Sequence, residues 1–230
     1  RWGLTAGEKR LILSRIKGTS KLEDLADVQM VIECIPGEMR EKQTLYQRLD
    51  EFFPPQTVLV ANSATASISD LAKHVRHPER IAGMHFSYPA HQRAIAEIVR
   101  GRKTSDETIK VLHALAKTIK KTVIEVLEMP GQITTRVMVP FINEAIQIVM
   151  EGLATAEQVD LAMRLSMKIP TGPLALADQL GLDSLLFTMD RMFRALGDLK
   201  YRPCPLLRRM VREGSLGVKN GRGFFNYDKN

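Results

Sequence analysis

Two residue types that together can move a proton stand twelve positions apart in this chain, His85 and Glu97. His85 lies in Gly83-Met84-His85-Phe86-Ser87-Tyr88-Pro89, and Glu97 lies in Ala96-Glu97-Ile98-Val99-Arg100-Gly101. Each segment reads as a short apolar strand, with a Pro-containing turn between them. An imidazole oriented by a carboxylate is suited to removing a proton from an alcohol. The same spacing also arises where a strand carboxylate merely caps a core histidine, so the surrounding sequence has to decide.

Composition narrows the setting. The chain has 230 residues and is 44% hydrophobic, enough to bury a core and to divide into two domains. Its formal charge of +7 fits either a solvated basic surface or attraction of phosphate-bearing ligands. Nucleic acid is disfavoured, because the basic residues are scattered among Asp and Glu and no nucleic-acid-binding motif is visible. No apolar run is long enough to span a membrane. Cys34 and Cys204 are far apart and lack metal or redox spacing. Reduced thiols in a cytoplasmic setting, with no metal site, follow as the simplest expectation.

The elements that must position the pair can be read from periodicity. Helical spacing runs over Thr5–Lys17, with Ile12, Leu13 and Ile16 on one side. Val28–Ile35 reads as a buried strand, Glu38–Phe53 as an amphipathic helix and Thr57–Ala61 as a second buried strand. Ser67 with Asp70 gives a capping-box-like start to a short helix. Strands follow at Arg80–Phe86 and Ala94–Val99, then a helix from Ser105 to Lys120 and a strand at Thr122–Leu127. Alternation of this kind implies a largely parallel α/β sheet. Beyond Pro130-Gly131 only helical periods remain, beginning with a long helix over Ile133–Glu151 and another from Thr155. A boundary near Met129 therefore separates residues 1–128 from an all-α domain, 129–230.

The motifs resemble the L-3-hydroxyacyl-CoA dehydrogenase family along almost the whole chain. Gly83–Pro89 and Ile95-Ala96-Glu97-Ile98 are similar to that family's His and Glu strands. Val31-Ile32-Glu33-Cys34-Ile35-Pro36, Asn62-Ser63-Ala64-Thr65 and Met129-Pro130-Gly131 resemble further landmarks in the same order. So do Pro170-Thr171-Gly172-Pro173-Leu174 and Gly217-Val218-Lys219-Asn220-Gly221-Arg222-Gly223-Phe224. The resemblance implies a Rossmann-type sheet followed by a helical dimerisation domain. It also implies NAD as hydride carrier and an acyl-CoA substrate of fatty-acid β-oxidation type. His85 would be general base and acid, with Glu97 as its orienting partner. Lys42, Asn62 and Lys219 match positions near the cofactor; the plain alternatives are a lysine on an exposed helix face for Lys42 and an ordinary Gly/Lys turn for Lys219. The eleven methionines and the apolar stripe Met138, Phe141, Ile142, Ala145, Ile148 and Val149 suit a helical core or a homodimer contact.

Departures from the family pattern are equally specific. The sequence contains no Gly-x-Gly-x-x-Gly turn of the kind that cradles a dinucleotide pyrophosphate. It looks like the family without its first strand–helix–strand unit, an arrangement expected to leave a raw sheet edge and weak NAD binding. Gly37 replaces a Glu, and Gln132 replaces a Phe. Around the substrate, Ala64 stands for a Ser, Tyr88 for an Asn and Thr135 for another Asn. Each lost positioned hydrogen bond would cost ~2–4 kcal/mol of transition-state stabilisation. Thr65, Tyr88 and Thr135 offer hydroxyls that could rebuild the site. Three readings stay open: a 3-hydroxyacyl-CoA dehydrogenase, a relative acting on a non-CoA hydroxy acid or carrier-bound acyl group, and a non-catalytic dimerising remnant.

Overall fold

The computed structural model describes residues 4–227. Helix α1, Ala6–Leu13, starts at a complete capping box in which Thr5 and Glu8 satisfy each other's backbone amides. It ends a turn short of the expected Lys17, and none of its residues is buried. Without a packed face nothing sustains the last turn, and the Ser14 hydroxyl takes the Leu11 carbonyl instead. Ile12, Leu13 and Ile16 are exposed rather than in a core.

Five strands follow in chain order: β1 (Met30–Glu33), β2 (Val58–Ala61), β3 (Ile81–Phe86), β4 (Ile95–Arg100) and β5 (Thr122–Leu127). They lie side by side in that order, and every neighbouring pair is parallel except β3 with β4. The sheet is thus mixed. Residues 87–94 are too few for a crossover, so the chain can only return antiparallel. That return brings His85 directly opposite Glu97.

Helices cover both faces, as alternating strands require. On one face α2 (Met39–Phe52) and α3 (Ile68–Leu71) meet Leu59, Ala61, Ile81 and Val99. On the other, α4 (Asp106–Thr118) meets Val58, Val60, Ala82, Met84, Ala96 and Ile98. The strict alternation of β3 and β4 places His85 and Glu97 on the same face as Ile81, Gly83 and Val99. At α3 only half of the capping box forms. Ser67 accepts from the Asp70 amide, while the Asp70 carboxylate pairs with Lys73. A buried Arg80 ties α2 to the sheet through Asp50 and the carbonyls of Phe53 and Thr57.

The second part is helical: α5 (Thr134–Met150), α6 (Ala156–Met167), α7 (Pro173–Leu180), α8 (Leu182–Leu196) and α9 (Pro205–Arg212). Ile142, Ile146, Leu174, Leu182, Met189 and Met192 form its centre. From the stripe read in the sequence, Ile142 and Ala145 are buried, and Met138, Phe141, Ile148 and Val149 pack around them. Two buried carboxylates account for the Gly-containing motifs. Asp160 accepts from the Leu174 and Ala175 amides at the start of α7, and a Cβ on Gly172 would lie 2.2 Å from its Cγ. Asp178, fully buried in α7, accepts from the Phe224 and Phe225 amides and the Tyr227 hydroxyl. A Cβ on Gly223 would collide with that carboxylate.

Asp178 is the anchor of the C-terminal segment. Asp178→Ala leaves buried donors unpaired, and we expect a stability loss of about 2–3 kcal/mol. Urea unfolding reads it directly; a midpoint equal to the parent's would show that the segment is held by its phenylalanines alone.

Candidate active site

The centre of the site is a carboxylate with four donors. Glu97 is 1% exposed. Its Oε2 receives His85 Nδ1 at 2.9 Å and the Thr134 hydroxyl at 2.6 Å. Its Oε1 receives the Ile133 and Thr134 amides at 2.8 and 3.0 Å. Burial favours the protonated acid, but the bonds from His85, Thr134 and Ile133 outweigh it and bring the carboxyl down to about 2. Glu97 is therefore ionised at neutral pH and can only accept. The proton between it and His85 belongs to Nδ1, so the neutral ring carries its lone pair on Nε2.

The same carboxylate serves α5. That helix starts at Ile133, with no side chain of its own capping the first turn. Glu97 reaches across from β4 and supplies the missing acceptor, where a helix N-terminus favours negative charge. Sequence reading missed Thr134. The signal was a hydroxyl residue in the first turn of the helix that follows Pro130-Gly131, facing a strand carboxylate with acceptor capacity to spare.

A cavity of about 480 Å³ opens beside His85. Its wall comes from β3 and its following loop, from α5 with Thr134, Thr135 and Met138, and from α7 and α8 with Leu176, Leu180, Ser184, Leu185 and Thr188. Among the described residues Nε2 of His85 has no protein partner. Ala64, Tyr88 and Thr135, separated widely in sequence, all line this same cavity. Ala64 contributes only a methyl group. Thr135 is buried, and its hydroxyl makes no hydrogen bond among the described residues. Tyr88 is 60% exposed, at the rim. Thr65 does not replace the absent serine: it borders a separate depression with Glu38, Met39 and Pro130.

The carboxyl ends of β1, β2 and β3 open on the side where α/β sheets bind nucleotides. Asn62 sits there, donating to Cys34 Sγ at 3.4 Å and accepting from the Phe86 amide at 3.3 Å. Lys42 is buried rather than on an exposed face, because its ammonium is drawn to Glu33 at 2.6 Å and to the Ile35 carbonyl at 2.8 Å. It props the turn that leaves β1. Gly37, next along, accepts from Arg191 of α8. Lys219 pairs with Asp183 at the start of α8, one residue from the cavity-lining Ser184. Gln132 is buried with a left-handed φ of 43°, donating to the Ser63 carbonyl. At the end of β1 the buried Glu33 Oε2 has no hydrogen-bond partner among the described residues, an orphan acceptor of the kind a ribose hydroxyl of a dinucleotide would satisfy.

Residues 3–129 match the family model described as 3-hydroxyacyl-CoA dehydrogenase, NAD binding domain, and residues 131–227 match the C-terminal domain of the same family. A probable 3-hydroxybutyryl-CoA dehydrogenase of Bacillus subtilis is 43% identical, over 98% of this chain and 78% of the relative. The crystal structure of Mycobacterium tuberculosis FadB2 superposes with a TM-score of 0.93 at 34% identity, covering 98% of this chain and 80% of that one. The crystal structure of (S)-3-hydroxybutyryl-CoA dehydrogenase PaaH1 from Ralstonia eutropha gives 0.87 at 38% identity, with the same two coverages.

A depressed carboxyl stabilises the fold above its unfolded value of 4.5, and that contribution disappears as pH falls toward 2. The full effect is on the order of 3 kcal/mol. In acid titrations followed by circular dichroism, Glu97→Gln should flatten the stability loss between pH 4.5 and 2. Thr134→Val, which removes one donor, should move the onset of acid unfolding to higher pH. Identical acid limbs in all three proteins would contradict the charge assignment.

Proposed function

The chain belongs to the 3-hydroxyacyl-CoA dehydrogenase family, and from that premise we propose that His85 is its proton-transfer residue and Glu97 the partner that holds it. The observation that carries this reading is the 2.9 Å bond between His85 Nδ1 and Glu97, with Nε2 left to the cavity.

The family's reaction interconverts a 3-hydroxyacyl and a 3-oxoacyl thioester, and NAD is the cofactor of its N-terminal domain. When bound, the nicotinamide supplies the hydride chemistry. In oxidation, the lone pair of His85 Nε2 takes the proton of the 3-hydroxyl while the hydrogen on that carbon departs as hydride. The new imidazolium is stabilised by ionised Glu97, which already holds its other N–H. In reduction, the imidazolium returns the proton to the oxygen. The Thr135 hydroxyl, and that of Tyr88 at the rim, are the groups available to hold the substrate oxygen and thioester in place of the family's asparagines. Ala64 leaves room without a hydrogen bond. Met138, Leu176 and Leu185 give the acyl group an apolar wall and exclude water.

On the cofactor side, Asn62 lines the crevice beyond β2, Lys42 shapes the turn after β1, and Lys219 approaches from the helical part. The substrate is an acyl-CoA, and a short 3-hydroxyacyl chain is supported by the names of the relatives. Apolar residues left exposed on the helical part, Val137, Leu161 and Leu165, support a homodimer through it. The unpaired thiols of Cys34 and Cys204 support a cytoplasmic location. Residues 1–128 and 129–230 are the units we propose for the two domains. The altered Ala64, Tyr88 and Thr135 favour a second reading, a carrier-bound or non-CoA hydroxy acid.

NADH oxidation with acetoacetyl-CoA tests the assignment. His85→Ala should lower kcat about 10²- to 10⁴-fold with the circular dichroism spectrum of the folded parent retained. Undiminished turnover in that variant would remove His85 from the chemistry.

A further inference from the structure

His85 and Arg93 are the basic side chains that line the cavity, and the mechanism uses only the first. Arg93 lies in the connection between β3 and β4. Its Nε donates to the Tyr88 carbonyl at 3.3 Å, which draws the side chain along the loop toward the cavity rim. Among the described residues the side chain makes no other hydrogen bond, and no carboxylate lies within ion-pair distance. The loop beneath it is held as well: Lys121 Nζ donates to the carbonyls of Ala90 and Arg93, at 2.7 and 2.6 Å. The guanidinium, exposed to solvent, thus stands at the cavity edge with no protein partner for its terminal NH₂ groups among the described residues.

The other lining groups are apolar or neutral hydroxyls, His85 apart. None of them answers the positive charge. A planar fork of N–H donors matches an anionic oxygen pair, and a bidentate contact adds geometric selection to charge attraction. The ammonium of Lys121, reaching over from the connection between α4 and β5, adds positive charge beside that loop. We propose that Arg93 recognises an anionic oxygen group on the acyl thioester substrate, a carboxylate or a phosphate. The proposal rests on the acyl-thioester reading above and adds a selectivity residue to it. The anion has two sources: a carboxylate at the far end of the acyl group, or a phosphate of the CoA carrier.

Equilibrium binding by titration calorimetry tests this without relying on turnover. The ligands are acetoacetyl-CoA, a 3-oxoacyl-CoA ending in a carboxylate, and the same carboxylate-ended acyl group on N-acetylcysteamine, which has no phosphate. Arg93→Met should weaken binding about 10- to 100-fold, the range of a lost charge-assisted hydrogen bond. Arg93→Lys, which keeps the charge but not the fork, should fall between. Loss confined to the two carboxylate-ended ligands identifies the acyl carboxylate as the partner. Loss confined to the two CoA thioesters identifies the CoA phosphate. Parent-like affinity of Arg93→Met for all three overturns the proposal. Failure of the parent protein itself to bind any thioester would instead sink the acyl-thioester reading, and this one with it.

Discussion

A single buried carboxylate, Glu97, ties the two halves of this protein together beside the cavity proposed as its active site. Glu97 leaves β4 between two apolar residues and meets donors from both parts: the imidazole of His85 across the sheet, and the first turn of α5. An unpaired charge so deeply buried would be strongly unfavourable. Four donors make it the preferred state. The orientation of His85 and the docking of α5 are consequently not separable. A rotation of the helical part would strip acceptors from α5 and would loosen the histidine in the same movement.

Other contacts reinforce that junction from the sides. The Gly131 amide bonds to the Ala64 carbonyl at 2.8 Å, and the Gln132 side chain to that of Ser63 at 3.1 Å. Arg191 of α8 reaches the Gly37 carbonyl at 3.2 Å. These bonds fix the segment that carries Ala64 against the start of α5, which carries Thr135. The cavity between them takes its shape from that spacing. Few polar groups face it: the imidazole of His85, a set of hydroxyls, and the guanidinium of Arg93.

The fold was legible where local and tertiary preferences agree. β5 coincides with Thr122–Leu127, and α2 lies within one residue of the span read from its apolar spacing. The reading ran too long at α1, which stops at Leu13 because its apolar side meets no packing partner among the described residues. The sheet is largely parallel, as the alternation implied, and only the antiparallel return of β4, set by loop length rather than residue type, went unread. At the site, Ala64, Tyr88 and Thr135 could be gathered only by resemblance, and the structure brings all three to one cavity. The ion pair of Lys42 could not be read from the sequence, because helical position alone does not reveal that Glu33 waits at the end of the neighbouring strand. Thr134 and Arg93 were invisible for the same reason: their meaning lies in partners distant in sequence, or in the lack of one.

The most direct measurement is the tautomer of neutral His85, read from the nitrogen-15 chemical shifts of its ring in the parent protein and in the Glu97→Gln variant. With ionised Glu97 as the acceptor, the parent should carry its proton on Nδ1 and leave Nε2 bare, whereas the variant should lose that preference. An Nε2-protonated ring in the parent, or the same tautomer in both proteins, would contradict the role assigned to Glu97.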